Sequence, residues 1–240
     1  MIFGISASFM IIQDNIFVVI IGAILLFYKN VLDKVDGSLA RAKGLDSRRG
    51  RFYDSIADFV VTLCVFTAMG YKLLVFYQSI LILPVVFIAM IFSMLQCSYF
   101  IYYQVSFIKI SGKNTVNRIL EQVTDEDIIN EDKITLVLQK IFMLIYGWQD
   151  VLMYKIDKWA YNRLDYSSEK QSFHELWYKD RRFLTIASLL SIGTHMVLIA
   201  ICSIFKGFEL YLFLNLIFLN LILTFCFIYH YKSVKNRIEY

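Results

Sequence analysis

Apolar and polar positions fall in long blocks along this chain, with none of the short alternation that marks strands. Runs at 15–34, 52–73, 77–103, 182–205 and 208–231 each approach the roughly 20 apolar residues that carry an α-helix across a bilayer. The opening run MIFGISASFMII, residues 1–12, is apolar but too short to cross alone. With no basic flank before it, it reads as a shortened first helix rather than a signal peptide. The pattern predicts an all-α fold: a polytopic membrane helical bundle of about six transmembrane helices, the first truncated, with a cytoplasmic or interfacial helical insertion. Along the chain this gives N-terminal membrane helices over 1–103, an insertion over 104–181, and C-terminal membrane helices with a basic tail over 182–240.

Composition narrows the class further. Hydrophobic residues make up 58% and aromatics 17%, there is one proline in 240 residues, and the mean hydropathy is +0.59. That balance excludes an ordinary soluble domain. Lys43, Arg48, Arg49 and Arg51 lie between the second and third spans, and Arg181, Arg182, Lys232, Lys235 and Arg237 flank the last two. The opposite connections carry little more than Lys72 and Lys206. Lys and Arg in short loops favour the cytoplasmic side, so the 35–51 region, the insertion and the C-terminus are expected in the cytoplasm. The net charge of +4 is spread over these faces and points to anionic lipid, not nucleic acid.

Single residues add less. Cys64, Cys97, Cys202 and Cys226 all fall in apolar runs without CxxC spacing, which predicts packing residues rather than disulfides or a zinc site. His195 is expected to pack inside a span, and His174 and His230 to sit in solvent or at the interface. Pro84 is expected to kink its span.

The candidate chemistry lies between the second and third apolar runs. There the chain reads DxxDGxxAR, eight residues, then GxxxDxxxD: Asp33, Asp36, Gly37, Ala40, Arg41, Gly50, Asp54 and Asp58. Acids at a membrane boundary are costly and mark function. At about 100° per residue, Asp33, Asp36, Gly37 and Ala40 share one helical stripe bordered by Arg41. Gly50, Asp54 and Asp58 form a second at i, i+4 spacing. The turn AKGLDSRR between them lets the two faces oppose, so that four carboxylates converge. Converging anions must be protonated, paired or bridged by cations. Their hard oxygens suit two Mg²⁺ or Mn²⁺ ions, which could clamp a pyrophosphate. Gly37 and Ala40 leave room for a ligand near the backbone, and Arg41 offers a donor fork for a phosphate oxygen. A solvated acidic face, an intramembrane cation or proton carrier, and an inactive scaffold are the competing readings. The first two leave the two glycines and the arginine in fixed register unexplained.

This register resembles the signature of the CDP-alcohol phosphatidyltransferase family, with every defining position occupied over residues 33–58. The resemblance implies a six-helix membrane enzyme, a homodimer, that moves a substituted phosphate from a CDP-linked lipid donor to an alcohol acceptor and releases CMP. It implies that Asp33, Asp36, Asp54 and Asp58 hold the metal pair, with Asp58 also taking the proton of the attacking hydroxyl. Gly37, Arg41 and Ser47 would contact the donor, and Ala40 and Gly50 would permit close helix and nucleotide packing. Donor and acceptor stay open: CDP-diacylglycerol with glycerol phosphate, inositol, inositol phosphate or serine, or a CDP-choline or CDP-ethanolamine type of donor with diacylglycerol. Arg48, Arg49 and Arg51 could hold an acceptor phosphate or simply set topology; the first gives a slight lean to a phosphorylated polyol.

The insertion has two characters. ILEQVTDEDIINEDK is acidic and polar, with Thr124 and Asp127 at capping-box spacing. Beyond it, Ile134, Leu138, Ile141, Ile145, Trp148, Leu152, Ile156 and Trp159 recur near helical spacing. With its Trp, Tyr and Lys content this predicts a helix lying in the interface, anchored by Trp148 and Trp159. A lid over the acceptor site is the functional alternative.

Overall fold

The computed structural model describes residues 1–112, 116–164 and 170–238; within the insertion, 113–115 and 165–169 lie outside the described residues. The protein is 85% helical, with no strand among the described residues. In chain order the helices are α1 (Ile2–Met10), α2 (Ile16–Ala42), α3 (Arg48–Tyr77), α4 (Ile82–Ile110), α5 (Asp125–Asn130), α6 (Lys133–Arg163), α7 (Lys170–Tyr178), α8 (Arg181–Ala187), α9 (Ile192–Ile204), α10 (Phe208–Phe213) and α11 (Asn220–Ile238). A 3₁₀ turn, Ser188–Leu190, follows α8, and a π-helical stretch, Leu214–Leu219, follows α10.

Six segments are long and apolar enough to cross a membrane: Ile16–Ala42, Arg48–Tyr77, Ile82–Ile110, Lys133–Arg163, Phe173–Ile204 and Phe208–Arg237. The expected number of six is reached, with α6 among them and the short α1 not. The polar residues Thr135, Gln139, Gln149 and Asp157 of α6 are buried. Its apolar stripe faces out instead, with Ile134, Ile141, Trp148, Leu152, Ile156 and Trp159 exposed. Polar inside and apolar outside is the arrangement that suits lipid.

The chain forms two compact units, Met1–Met94 with Ile192–Phe218, and Leu95–Ser191 with Leu219–Tyr240. In the first, α1 packs on α2 and α3, and α9 packs on α2. Glycine makes these approaches possible. A Cβ on Gly22 would lie 2.6 Å from the Met10 Cβ and 3.1 Å from the Ile11 backbone N, and one on Gly4 would lie 2.6 Å from Val61 Cγ1. Ala7, Leu26, Val65, Met69, Ile199 and Tyr211 form the core between them. His195 is buried there as expected, its Nδ1 3.1 Å from the Tyr211 hydroxyl.

The second unit is organised around Asp157 on α6, a residue buried to 2% exposure. Its Oδ1 accepts from the Tyr103 hydroxyl and Trp177 Nε1, each at 2.8 Å. Its Oδ2 accepts from the hydroxyls of Tyr102 at 2.9 Å and Tyr178 at 2.5 Å. His230 does not sit in solvent or at an interface; it is 2% exposed, its ring 4.3 Å from that of Phe183 and 4.5 Å from that of Trp177. The reason is register: Cys226, His230 and Val234, all buried, repeat every four residues along one face of α11.

Two local expectations divide. Thr124 and Asp127 do form a capping box at the start of α5. Pro84 does not kink a span, because the chain breaks at Gln78, with φ of 50°, and α4 restarts at Ile82. Pro84 therefore occupies the first helical turn, where no backbone N–H is required. All four cysteines are free thiols.

Candidate active site

The acidic register sits where two helices outrun their apolar segments. At 1.5 Å per residue, the 27 residues of α2 span about 40 Å against a hydrocarbon core of about 30 Å, so its last turns carry Asp33 to Arg41 toward the boundary. The helix ends where Gly44 adopts φ +64°. Leu45 N–H donates to the Ala40 carbonyl at 2.9 Å and Gly44 N–H to that of Arg41 at 3.2 Å, a Schellman closure that needs a residue tolerant of the left-handed region. Ser47 then caps α3, its Oγ accepting from Gly50 N–H at 3.1 Å. The chain thus reverses within a few residues and brings the first turns of α3 beside the last turns of α2.

Asp33 and Asp58 meet across this junction, and a residue outside the register joins them. Lys29, 6% exposed, pairs through its Nζ with Asp33 one turn further along α2 and with Asp58 on α3. Asp33 and Asp58 are themselves only 30% and 26% exposed. Asp54 lies within electrostatic reach of Asp58, Asp33 and, more weakly, Asp36. Asp36 and Asp54 are exposed and lie outside the Lys29 pairs. Two of the four carboxylates are therefore drawn together on an ammonium, and the other two are exposed.

The remaining residues of the register divide between contact and structure. The Arg41 guanidinium lies over Gly37, where a Cβ would meet its Nη1 at 3.4 Å, and donates to the Ser38 hydroxyl at 3.4 Å. The Gly50 position faces the Ser47 hydroxyl at 3.2 Å, and Ala40 is half-buried behind the turn. Arg48 and Arg51 lie over the Phe52 ring, 5.6 and 5.2 Å from its centroid, while Arg49 is exposed. Beside the cluster, a cavity of about 280 Å³ opens between α2 and α9, lined by Phe27, Asn30, Val31 and Lys34 on one side and Gly193, Val197 and Leu198 on the other. Asn30, Lys34 and Thr194 are the polar residues of its walls, and the rest are apolar or glycine.

Sequence reasoning missed Lys29. The signal was present: a lysine one turn before Asp33, inside an apolar helix, is a charge that must find partners. Carboxylate oxygens from two helices suit a hard divalent ion. Two of them are already committed to an ammonium, however, and among the described residues no three His, Cys, Asp or Glu side chains are grouped closely enough to hold a metal as they stand. As they stand, the Lys29 pairs leave no room for an ion between Asp33 and Asp58.

The family model for CDP-alcohol phosphatidyltransferase matches residues 1–162, a stretch that includes the whole acidic register. No curated protein and no solved structure matches the chain.

Proposed function

The chain belongs to the CDP-alcohol phosphatidyltransferase family, a group of phosphotransferases, and from that premise we propose that it transfers the phosphatidyl group of CDP-diacylglycerol to an alcohol, releasing CMP. The observation that carries this reading is the meeting of Asp33 and Asp58 on Lys29 with Asp54 in range, which gathers the acids of the register at one junction of two candidate spans. Asp33, Asp36, Asp54 and Asp58 are the acids from which a divalent ion, Mg²⁺ or Mn²⁺, would draw its ligands, Asp33 and Asp58 being already paired with Lys29. When bound, such an ion would neutralise charge on the donor's phosphates.

The chain's own residues supply the rest. Arg41 presents a planar cationic fork over Gly37, suited to a phosphate oxygen. Asp58, held in position by Lys29, takes the proton of the acceptor hydroxyl, because an alcohol is a poor nucleophile at neutral pH. The acceptor oxygen–phosphorus bond forms as the phosphoanhydride bond to CMP breaks, and the proton stays on Asp58. Positioning and fixed charge account for most of the acceleration in such transfers. The apolar cavity beside α2 would receive lipid. The arginines Arg48, Arg49 and Arg51 at the start of α3 favour, slightly, glycerol phosphate or inositol phosphate as acceptor. A homodimer with its sites facing the cytoplasm completes the reading.

The test is to incubate the purified chain with labelled CDP-diacylglycerol and a panel of alcohols, measuring CMP and identifying the lipid. Transfer to diacylglycerol from a CDP-amino alcohol would instead assign the other branch of the chemistry. Metal-independent cation flux in liposomes without CMP release would assign a carrier. Asp58→Asn is expected to reduce transfer at least 100-fold, roughly the lower end of a general base's contribution, while labelled donor still binds. Parent-like turnover in that variant would remove Asp58 from the role.

A further inference from the structure

The buried Lys29 changes the ion count of this site, and the argument rests on the transfer reading above. An ammonium on a four-carbon stem rooted in α2, with both Asp33 and Asp58 against it and only 6% of its side chain exposed, occupies the ground between the two helices. A buried cation of this kind stays where its carboxylates compensate it, since breaking either pair leaves an uncompensated charge out of water. A divalent ion bridging Asp33 and Asp58 would need the same inward oxygens at close range and would stand against the ammonium as a like charge. Asp54 feels Lys29 through space, but neither it nor Asp36, both exposed, forms an ion pair with it.

We infer that Lys29 is a built-in cation that takes the place of one of the two expected metal ions and keeps Asp33 and Asp58 together, so that the chain holds one divalent ion rather than two. The ammonium does two things that an ion in that place would do: it offsets the repulsion between carboxylates from different helices and it fixes their separation. It cannot dissociate, so α2 and α3 remain tied at this point when metal is removed.

The experiment counts bound Mn²⁺ on the full chain in detergent, from the loss of the free-ion electron paramagnetic resonance signal, with CMP release measured on the same preparations. The parent is expected to bind about one Mn²⁺ per chain, and Lys29→Met about two, since it restores the free acid set typical of a two-ion site. Lys29→Arg keeps the positive charge and is expected to stay at about one. A parent that binds two, or a monodisperse Lys29→Met that still binds one, overturns the inference. If Lys29→Met aggregates, the parent and Lys29→Arg counts decide it alone. A parent that binds none also overturns it. The transfer reading fails separately, when no alcohol in the panel yields CMP.

Discussion

Two buried charges in this protein are compensated in opposite ways, and the contrast says what each is for. Lys29 is met by two charged carboxylates from two helices, beside the further acids Asp36 and Asp54, which are exposed. Asp157 is met by four neutral donors from Tyr102, Tyr103, Trp177 and Tyr178, an arrangement that ties α4, α6 and α7 together. Asp157→Asn keeps the shape but turns one acceptor oxygen into a donor facing the hydroxyls of two tyrosines. Hydrogen bonds to a charged group contribute about 1.5–3 kcal/mol each, so the variant is expected to lose on the order of 3 kcal/mol. Thermal unfolding in detergent would show it as a lowered midpoint, and an unchanged midpoint would mean that the hub is not structural. Tyr102→Phe, which removes one donor only, is expected to cost about 1.5 kcal/mol, the lower end of that range. The acids of the register were legible in the sequence because their spacing alone puts them on two stripes. Lys29 and Asp157 were not, because burial of a charge is decided by which neighbouring helix supplies partners, and spacing along one helix is silent on that.

At the scale of elements, the same distinction separates what the chain announces from what packing decides. The turn between α2 and α3 is written locally: Gly44 takes the left-handed conformation and Ser47 caps the next helix, as a glycine and a serine at those places foretell. The helix lengths are less legible, since the apolar runs stop near residue 34 and resume near 52 while α2 and α3 continue to Ala42 and from Arg48. The polar residues of α6 face inward and its apolar stripe outward, which spacing along the helix does not foretell, because which stripe is buried depends on whether lipid or water surrounds it. Packing of α1 depends on closeness that only glycine allows. Gly22→Ala would set a methyl 2.6 Å from the Met10 Cβ and 3.1 Å from a backbone nitrogen, where no flexible side-chain tip can give way. Overpacking of this sort costs about 1–3 kcal/mol. The expected result is faster proteolysis within residues 1–15 of purified Gly22→Ala than of the parent; identical cleavage rates would show that α1 is not held by this contact.

At the scale of the molecule, the stretch matched to the family ends at residue 162, yet the unit that carries the acids is completed by Ile192–Phe218, and α9 from that segment packs on α2. The chemistry therefore depends on a scaffold lying beyond the matched part of the chain. Membrane integration follows from six candidate spans and from the many large apolar side chains on the outside, such as Phe17 at 74%, Leu144 at 82% and Phe205 at 78% exposure, which in water would be a severe liability. Sidedness rests on charge. The junction of α2 and α3 carries Lys43, Arg48, Arg49 and Arg51, whereas the other ends of these two helices are joined by one pair, Lys72 with Asp14 at 2.5 Å, that leaves little net charge there. Basic residues are retained on the cytoplasmic side, so a probe in the turn is expected to be reachable from that side alone. Leu45, 70% exposed and outside both helices, is the place for it. In Leu45→Cys, a membrane-impermeant maleimide is expected to label inside-out vesicles and not right-side-out ones, with the parent's four native thiols as the control. Labelling from the outer face would invert the topology and put the donor site on the wrong side of the membrane for a cytoplasmic nucleotide.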